Sequence, residues 1–338
     1  MNTGRRRRMV NRKEIRRKSR RYSCLVLPPL VIALILSFMS EYFLTPVNLG
    51  NLLLQMTSTA IAAMGITFIM IAGEYDLSCA AVLAFTAVLS ASLAVRSPFG
   101  AVLGIPFALA LGAGIGFLNG WLISKFSIPS LVVTLAAMKI WRGVALWLTG
   151  GRTISGLPEV YCFPGCARLF GVVPVSLIIL AVLYIAGQLM LSRTRYGYEI
   201  YAVGRDAEAA TLSGLDVKKI RKNVYIVGGI LYAIAGLLMA GRVGAALPAV
   251  ADSMEFTAMS AAIIGGCALG GGRGSLVGTF LGVLTMSLLD NGADLLQLSY
   301  YWISIVQGVI ILAALVIKTQ GVQKRQKQTE SLHSDRVK

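Results

Sequence analysis

The sequence predicts an all-α polytopic membrane protein of about ten transmembrane helices with cytoplasmic N- and C-termini. Three observations carry that expectation. First, 56% of the 338 residues are hydrophobic, although 32 Lys+Arg against 15 Asp+Glu give a formal net charge of +17. Second, the whole of that net charge sits in three short segments. Residues 1–21 hold 11 basic side chains and one acid, 193–222 hold 7 and 4, and 318–338 hold 6 and 2. Third, the other 266 residues carry only 16 charged side chains, 8 of each sign, where about a quarter of a soluble domain is charged.

A bilayer core about 30 Å thick takes roughly 20 apolar residues of helix per crossing, so charge-poor runs mark the elements. The first run is 24–40. It exceeds the apolar core of a signal peptide and has no small-residue cleavage site before Glu41, so it reads as an anchor. Thr45, Pro46 and Asn48 make an outer connection to a second crossing, from about 51 to 73. The third is 77–95, with Asp76 and Ser78 placed to cap it. The fourth is 98–124, where Gly112, Gly114, Gly116 and Gly120 follow the small-residue spacing that lets helices approach closely in lipid. The fifth, 127–148, contains Lys139 and Arg142. Charge at mid-depth is costly, so this helix is expected to be offset, with Arg142 at the outer interface; the alternative is that both side chains face the bundle interior. The sixth to tenth crossings fall at 171–192, 223–241, 256–269, 275–289 and 295–317. The eighth and ninth are short for full spans and read as tilted, partial or re-entrant.

Orientation follows from where Lys and Arg collect. The basic 1–21 segment puts the start in the cytoplasm, ten crossings return the end there, and 193–222 becomes a cytoplasmic loop. The body is therefore 22–318, between cytoplasmic tails 1–21 and 319–338. The loop 150–172 lies outside, and its Pro158, Pro164 and cysteine pair suit a small ordered plug or rim. Cys162 and Cys166 flank Phe163-Pro-Gly165, a turn-forming sequence, in a compartment that permits a disulfide. A local bond and two free thiols are both open. Cys24, Cys79 and Cys267 lie in apolar runs, as small hydrophobes.

Composition also excludes. The one histidine, His333, is in the polar C-terminal tail, so no histidine-based metal site, catalytic triad or proton relay exists within the apolar body. A nucleic-acid binder presents basic residues along a folded face, whereas here they sit in tails and one loop. No Gly-Lys dipeptide occurs anywhere, so the chain has no phosphate-cradling GxxxxGK[ST] loop. The glycine-rich 270–275 stretch reads as a tight turn or close helix contact.

The 193–222 loop is the most informative segment. Asp206 is a good N-cap and Gly214 a C′ terminator, enclosing about two turns of helix. A helix so short is marginal alone in water. Either it lies on the membrane or the bundle's own end, or Ala207, Ala210 and Leu212, with Arg205 and Glu208 beside them, dock into another protein's groove.

Together with Gly73-Glu-Tyr-Asp-Leu-Ser78, Pro129-Ser-Leu-Val-Val-Thr-Leu-Ala-Ala-Met138 with Arg142-Gly143, and Gly265-Gly-Cys-Ala-Leu-Gly-Gly-Gly-Arg-Gly-Ser-Leu-Val-Gly278, the segment Tyr201-Ala-Val-Gly-Arg-Asp-Ala-Glu-Ala-Ala-Thr-Leu-Ser-Gly-Leu-Asp-Val217 resembles the permease subunits of ribose-type bacterial ABC sugar importers. The resemblance covers the first span to the last. Cys79 and Ala80 stand where members commonly have Val and Gly. The resemblance implies that Arg205, Asp206, Ala207, Glu208, Ala209, Ala210, Leu212, Ser213 and Gly214 form a coupling helix seated in a cleft of an ATP-hydrolysing subunit. It further implies a non-catalytic chain in the bacterial inner membrane that binds no cofactor and pairs with a second permease copy or homologue. Two cytoplasmic ATPase subunits and an extracytoplasmic solute-binding protein complete the expected assembly. Weak similarity between 62–86 and 261–285, each small-residue-rich around a glycine turn, suggests repeated halves. It would place a translocation path near Gly73, Asp76, Ser78, Arg273, Gly274 and Ser275. The expected cargo is a monosaccharide or similar small polar solute. The rivals are a gradient-driven transporter, a multi-span membrane enzyme and an importer of an amino acid, nucleoside or signalling molecule.

Overall fold

The computed structural model describes residues 25–169, 173–299, 305 and 308–309. Both basic tails, Cys24, His333 and most of the tenth expected crossing lie outside the described residues. Among the described residues the regular secondary structure is helical apart from two small two-stranded pairings.

Helix α1 is Leu25–Met39. Helix α2, Pro46–Ile71, starts five residues earlier than the apolar run because Thr45 caps it, accepting from the Asn48 N–H at 3.3 Å, and Pro46 suits its first turn. From Met56 onward most of α2 is buried, which makes it a central post. Helix α3, Cys79–Ala94, has 16 residues, and α4, Pro98–Phe126, has 29. Helices α5, Ser130–Thr149, and α7, Val175–Arg193, flank an excursion of short elements at one end of the bundle. Helix α10, Val217–Val243, is the second central post. Helix α11, Met254–Ile264, has 11 residues and α12, Leu276–Leu295, has 20. By length and composition α2, α4, α5, α7, α10 and α12 can cross a membrane, while α1, α3 and α11 are shorter apolar helices. At 1.5 Å per residue α11 rises only about 16 Å, half a bilayer core.

The boundaries depart from the apolar runs where polar residues belong to helices. Helix α10 takes up residues 217–222, so Lys218, Lys219, Arg221 and Lys222 lie on its first two turns. Helix α12 continues six residues beyond the apolar run, carrying Asp290 and Asp294 inside its last turns. A pair of bonds between Asn291 and Asn48, at 2.8 and 3.0 Å, holds that end against the start of α2.

Helices α4 and α10 cross at nearly touching backbones. A Cβ at Gly116 would overlap the Tyr225 carbonyl, one at Gly112 the Gly229 carbonyl, and one at Gly120 would come 2.7 Å from the Lys222 Cα. Gly114 faces open space instead, so it is not part of the packing stripe expected of the four glycines.

The excursion between α5 and α7 is an ordered cover. Strand β1 (Ile154–Ser155) pairs antiparallel with β4 (Ala245–Ala246), just after α10. Strands β2 (Arg168–Leu169) and β3 (Val173–Pro174) also pair antiparallel. Between β1 and β2, the short helix α6, Glu159–Cys166, buries Tyr161, whose hydroxyl meets Ser90 Oγ at 2.6 Å. Cys162 and Cys166 are both free thiols. The turn expected at Pro164-Gly165 is instead helical, which sets the two cysteines one turn apart on α6, their Cβ atoms about 5–6 Å from each other. A disulfide needs Cβ atoms about 3.5–4.5 Å apart, so the local bond considered from sequence is not formed.

Arg142 does not share an interior face with Lys139, which is exposed. Its Nη1 donates to the Pro248 and Val250 carbonyls at 2.8 and 2.9 Å, and its side chain is 17% exposed. The loop after α10 thus folds over α5 and takes up the guanidinium.

Candidate functional site

Two helices project from the end of the bundle where α7 stops and α10 begins. Helix α8, Arg195–Arg205, was not evident from hydropathy, because only Tyr196, Ile200 and Val203 recur at helical spacing among polar neighbours. Thr194 caps it, accepting from the Gly197 N–H at 3.1 Å. Helix α9, Ala207–Leu212, follows at once. Its N-cap Asp206 accepts from the Glu208 and Ala209 N–H groups at 3.1 and 2.9 Å. At its other end the Gly214 N–H donates to Thr211 and the Leu215 N–H to Ala210, the paired bonds of a Schellman motif, with Gly214 at φ +82°.

The exposed face of α9 is not the one expected. Ala210 is 5% exposed and joins the main buried cluster, so it seats α9 on the body instead of meeting a partner. The free face consists of Glu208, Ala209, Thr211 and Leu212, with Arg205 and Ser213 exposed beside it. Leu212 is 85% exposed, one turn from Glu208 on the same face of α9. A groove of about 510 Å³ lies along α8, lined by Arg195, Tyr198, Glu199, Ala202 and Leu215, which follows α9. The α8 side of this surface was missed from sequence; Thr194 before a Tyr196/Ile200/Val203 spacing was the available signal.

Helix α8 rests on two breaks in the bundle. One is 72–78, between α2 and α3; the other is 265–275, between α11 and α12. Residues 62–86 and 261–285 thus share a helix–break–helix form. The two units meet, with Thr67 Oγ1 and Thr279 Oγ1 2.7 Å apart in the buried core. At the breaks the Gly272 N–H donates to the Ile71 carbonyl at 2.8 Å, and Tyr75 Oη donates to the Leu269 carbonyl at 2.7 Å. Gly204, near the end of α8, packs into this junction. A Cβ there would overlap the Ile71 carbonyl and come 2.6 Å from the Gly272 nitrogen, so only glycine lets α8 sit so low. Tyr201 Oη adds a bond to the Gly274 carbonyl at 2.9 Å.

Non-helical backbone inside a bundle must find partners. In 72–78, the Tyr75 N–H donates to Ser130 Oγ and the Leu77 N–H to Thr134 Oγ1, both at 3.1 Å, while Tyr225 Oη donates to the Tyr75 carbonyl at 2.6 Å. In 265–275, the Ala268 N–H donates to the Arg273 carbonyl at 2.9 Å, and just beyond it the Leu276 N–H donates to Gln188 Oε1 at 3.1 Å.

Of the six residues expected along a path, the structure brings Gly73 and Gly274 into this junction. Arg273 is exposed. Ser275 is the N-cap of α12, accepting from the Gly278 N–H at 3.1 Å. Asp76 and Ser78 are buried on the other side of the break, where Asn119 Nδ2 donates to Ser78 Oγ at 3.1 Å. Ser78 does not cap α3 with its side chain, because its own backbone is already helical (φ −81°, ψ −10°). Asp76 Oδ1 instead accepts from the Ser78 N–H and Oγ at 2.8 and 2.6 Å. Among the described residues no group of three His, Cys, Asp or Glu could hold a metal ion.

A family model described as branched-chain amino acid transport system / permease component matches residues 48–315. The chain is 36% identical over 288 residues to the ribose import permease protein RbsC of Bacillus subtilis (strain 168), covering 85% of this chain and 89% of that protein. It is 36% identical over 292 residues to RbsC of Escherichia coli (strain K12), covering 85% and 90%. It is 30% identical over 359 aligned positions to the xylose transport system permease protein XylH of Haemophilus influenzae, covering 87% and 96%. No solved structure matches. A family match over most of the chain and nearly full-length relatives at 30% identity or more agree with the helix–break–helix bundle, and the chain belongs to the family of branched-chain amino acid transport system / permease components.

Proposed function

We infer that this chain is the membrane-spanning subunit of an ATP-binding-cassette importer for a monosaccharide, in a bacterial inner membrane. It crosses about ten times with both termini cytoplasmic. It works with a second permease copy or homologue, two cytoplasmic ATPase subunits and an extracytoplasmic binding protein. The ribose and xylose permeases among its relatives support the sugar class. The observation that carries the mechanism is the seating of α8 and α9: an exposed Leu212 at one end, and Gly204 wedged against both helix breaks at the other. A partner that grips α9 moves α8, and α8 moves the 72–78 and 265–275 breaks together, opening a passage between the repeated units. No bond is broken in this chain, and ATP is hydrolysed by the partner.

The test is ATP hydrolysis by the reconstituted complex, stimulated by binding protein loaded with ribose, xylose or leucine. Leu212→Arg is expected to lower stimulation about 30-fold, the loss of a docking hot spot worth about 2 kcal/mol, with unfolding unchanged. Stimulation by leucine and not by a sugar overturns the substrate class. Uptake without any ATPase subunit, indifferent to Leu212→Arg, overturns the importer reading.

A further inference from the structure

The tight crossing of α4 and α10 has a second outcome at the end of the bundle that carries α8 and α9. It sets the last turn of α4 beside the first two turns of α10, with Ser124 Oγ donating to the Lys218 carbonyl at 3.2 Å. Between them lies a groove of about 440 Å³, lined by Trp121, Lys125, Asp216, Lys218, Lys219 and Lys222 among others. None of these four lysines pairs with a carboxylate among the described residues. Asp216, the acid in the lining, is committed to capping α10 through the Lys219 N–H at 2.9 Å. Glu74, the other nearby acid, is taken by Arg221 at 2.8 Å. The Asp216 carboxylate keeps its charge as a cap, so the groove sets four ammonium groups against one carboxylate and is net positive.

Its upper edge is apolar. Lys125 Nζ lies over Trp121 at 4.7 Å and Lys222 Nζ over Phe117 at 5.4 Å, so two ammonium groups are held where the aromatic face of α4 ends. Phe117 and Phe126 are 45% and 54% exposed, and the uncovered apolar face of α4 continues upward through Phe107 and Leu103. Exposed rings and apolar helix above, lysines below, is the chemistry of a membrane–water boundary.

We propose that this groove binds the headgroup of an anionic phospholipid, with the phosphate among Lys125, Lys218, Lys219 and Lys222 and the acyl chains along α4. A soluble phosphate has no use for the apolar strip, and an acidic protein would have to leave it in lipid. The site is separate from the α9 face and does not rest on which solute is carried.

The experiment is native mass spectrometry of the full-length chain, titrated in detergent with phosphatidylglycerol, phosphatidylcholine or inorganic phosphate. Wild type is expected to retain phosphatidylglycerol over phosphatidylcholine. Neutralising Lys218→Gln, Lys219→Gln and Lys222→Gln together should weaken that retention roughly 100-fold, about fivefold per lysine. The Lys→Arg triple variant at the same positions should keep it, which separates loss of charge from loss of fold. Equal retention by wild type and the glutamine variant overturns the proposal, as does equal loss in the arginine variant. Displacement of the lipid by inorganic phosphate at equal concentration overturns it in favour of a soluble anion.

Discussion

Gly204→Ala tests the seat of α8 directly. The added methyl must occupy space held by the Ile71 carbonyl oxygen, and it would lie 2.6 Å from the Gly272 nitrogen. Those two atoms are hydrogen-bonded to each other at 2.8 Å, so the methyl cannot be accommodated by a side-chain rotation. Either α8 lifts or the bond opens. Overpacking of this kind costs about 1–3 kcal/mol, and a buried donor left without its acceptor about 1–3 more. The better helix propensity of alanine returns up to about 1 kcal/mol, leaving a net loss of roughly 1–5 kcal/mol. The assay is thermal unfolding of the full-length chain in detergent, alongside stimulated ATP hydrolysis in the reconstituted complex. Both unfolding temperature and stimulation should fall. A variant that unfolds at or above the wild-type temperature and hydrolyses ATP as before would refute both the tight seat and its role in transmission.

Three further outcomes follow from the same geometry. At the α4–α10 crossing, Gly116→Ala should lower the unfolding temperature, by overpacking worth about 1–3 kcal/mol, whereas Gly114→Ala should leave it unchanged or raise it, since that position is open. Asp76→Ala should cost about 1–3 kcal/mol by orphaning the buried Ser78 N–H, and Asp76→Asn, which keeps an oxygen acceptor, should cost less; thermal unfolding reads both. Cys162 and Cys166 should each take up one maleimide without prior reduction. Burial, and the neighbouring Cys166, push the Cys162 thiol above the usual range, so its thiolate forms later as pH rises. Its labelling should lag that of exposed Cys166 at neutral pH and close the gap in more alkaline buffer, as peptide mass spectrometry would show.

What could be read from the sequence was what is locally determined. Asp206 and Gly214 delimit α9 because capping is short-range chemistry, and the apolar runs mark the helices because burial in lipid demands them. The glycine-rich 270–275 stretch was recognisable as a turn for the same reason, but the break begins at Gly265, inside the apolar run that had read as a crossing to 269. What escaped depends on contacts distant in sequence. Ala207 and Ala210 are identical residues one turn apart on a six-residue helix, and only the packing of α8 and α10 decides that Ala210 points inward. Helix α8 owes its existence to tertiary burial of Ile200 and Val203. The extension of α12 past Asp290 is held by Asn48, more than 240 residues away, which no hydropathy window can see. Gly114 is a different case: Gly112, Gly116 and Gly120 recur every four residues on one face of α4, and Gly114, two residues from its neighbours, falls on the opposite face, so helical spacing already set it apart.

The Ile71–Gly272 bond also imposes an order of events on biosynthesis. Its two partners are separated by 201 residues, and Gly204, which completes the joint, lies between them. At synthesis rates of about 5–20 residues per second, the carbonyl of Ile71 waits roughly 10–40 s for its donor. During that interval Ser130 and Thr134 of α5, and then Tyr225 of α10, are the partners the first break has for its own backbone. The last third of the chain then locks elements made long before it, so C-terminal truncations short of residue 272 would leave α2 packed on α10 but the first break without its Gly272 donor.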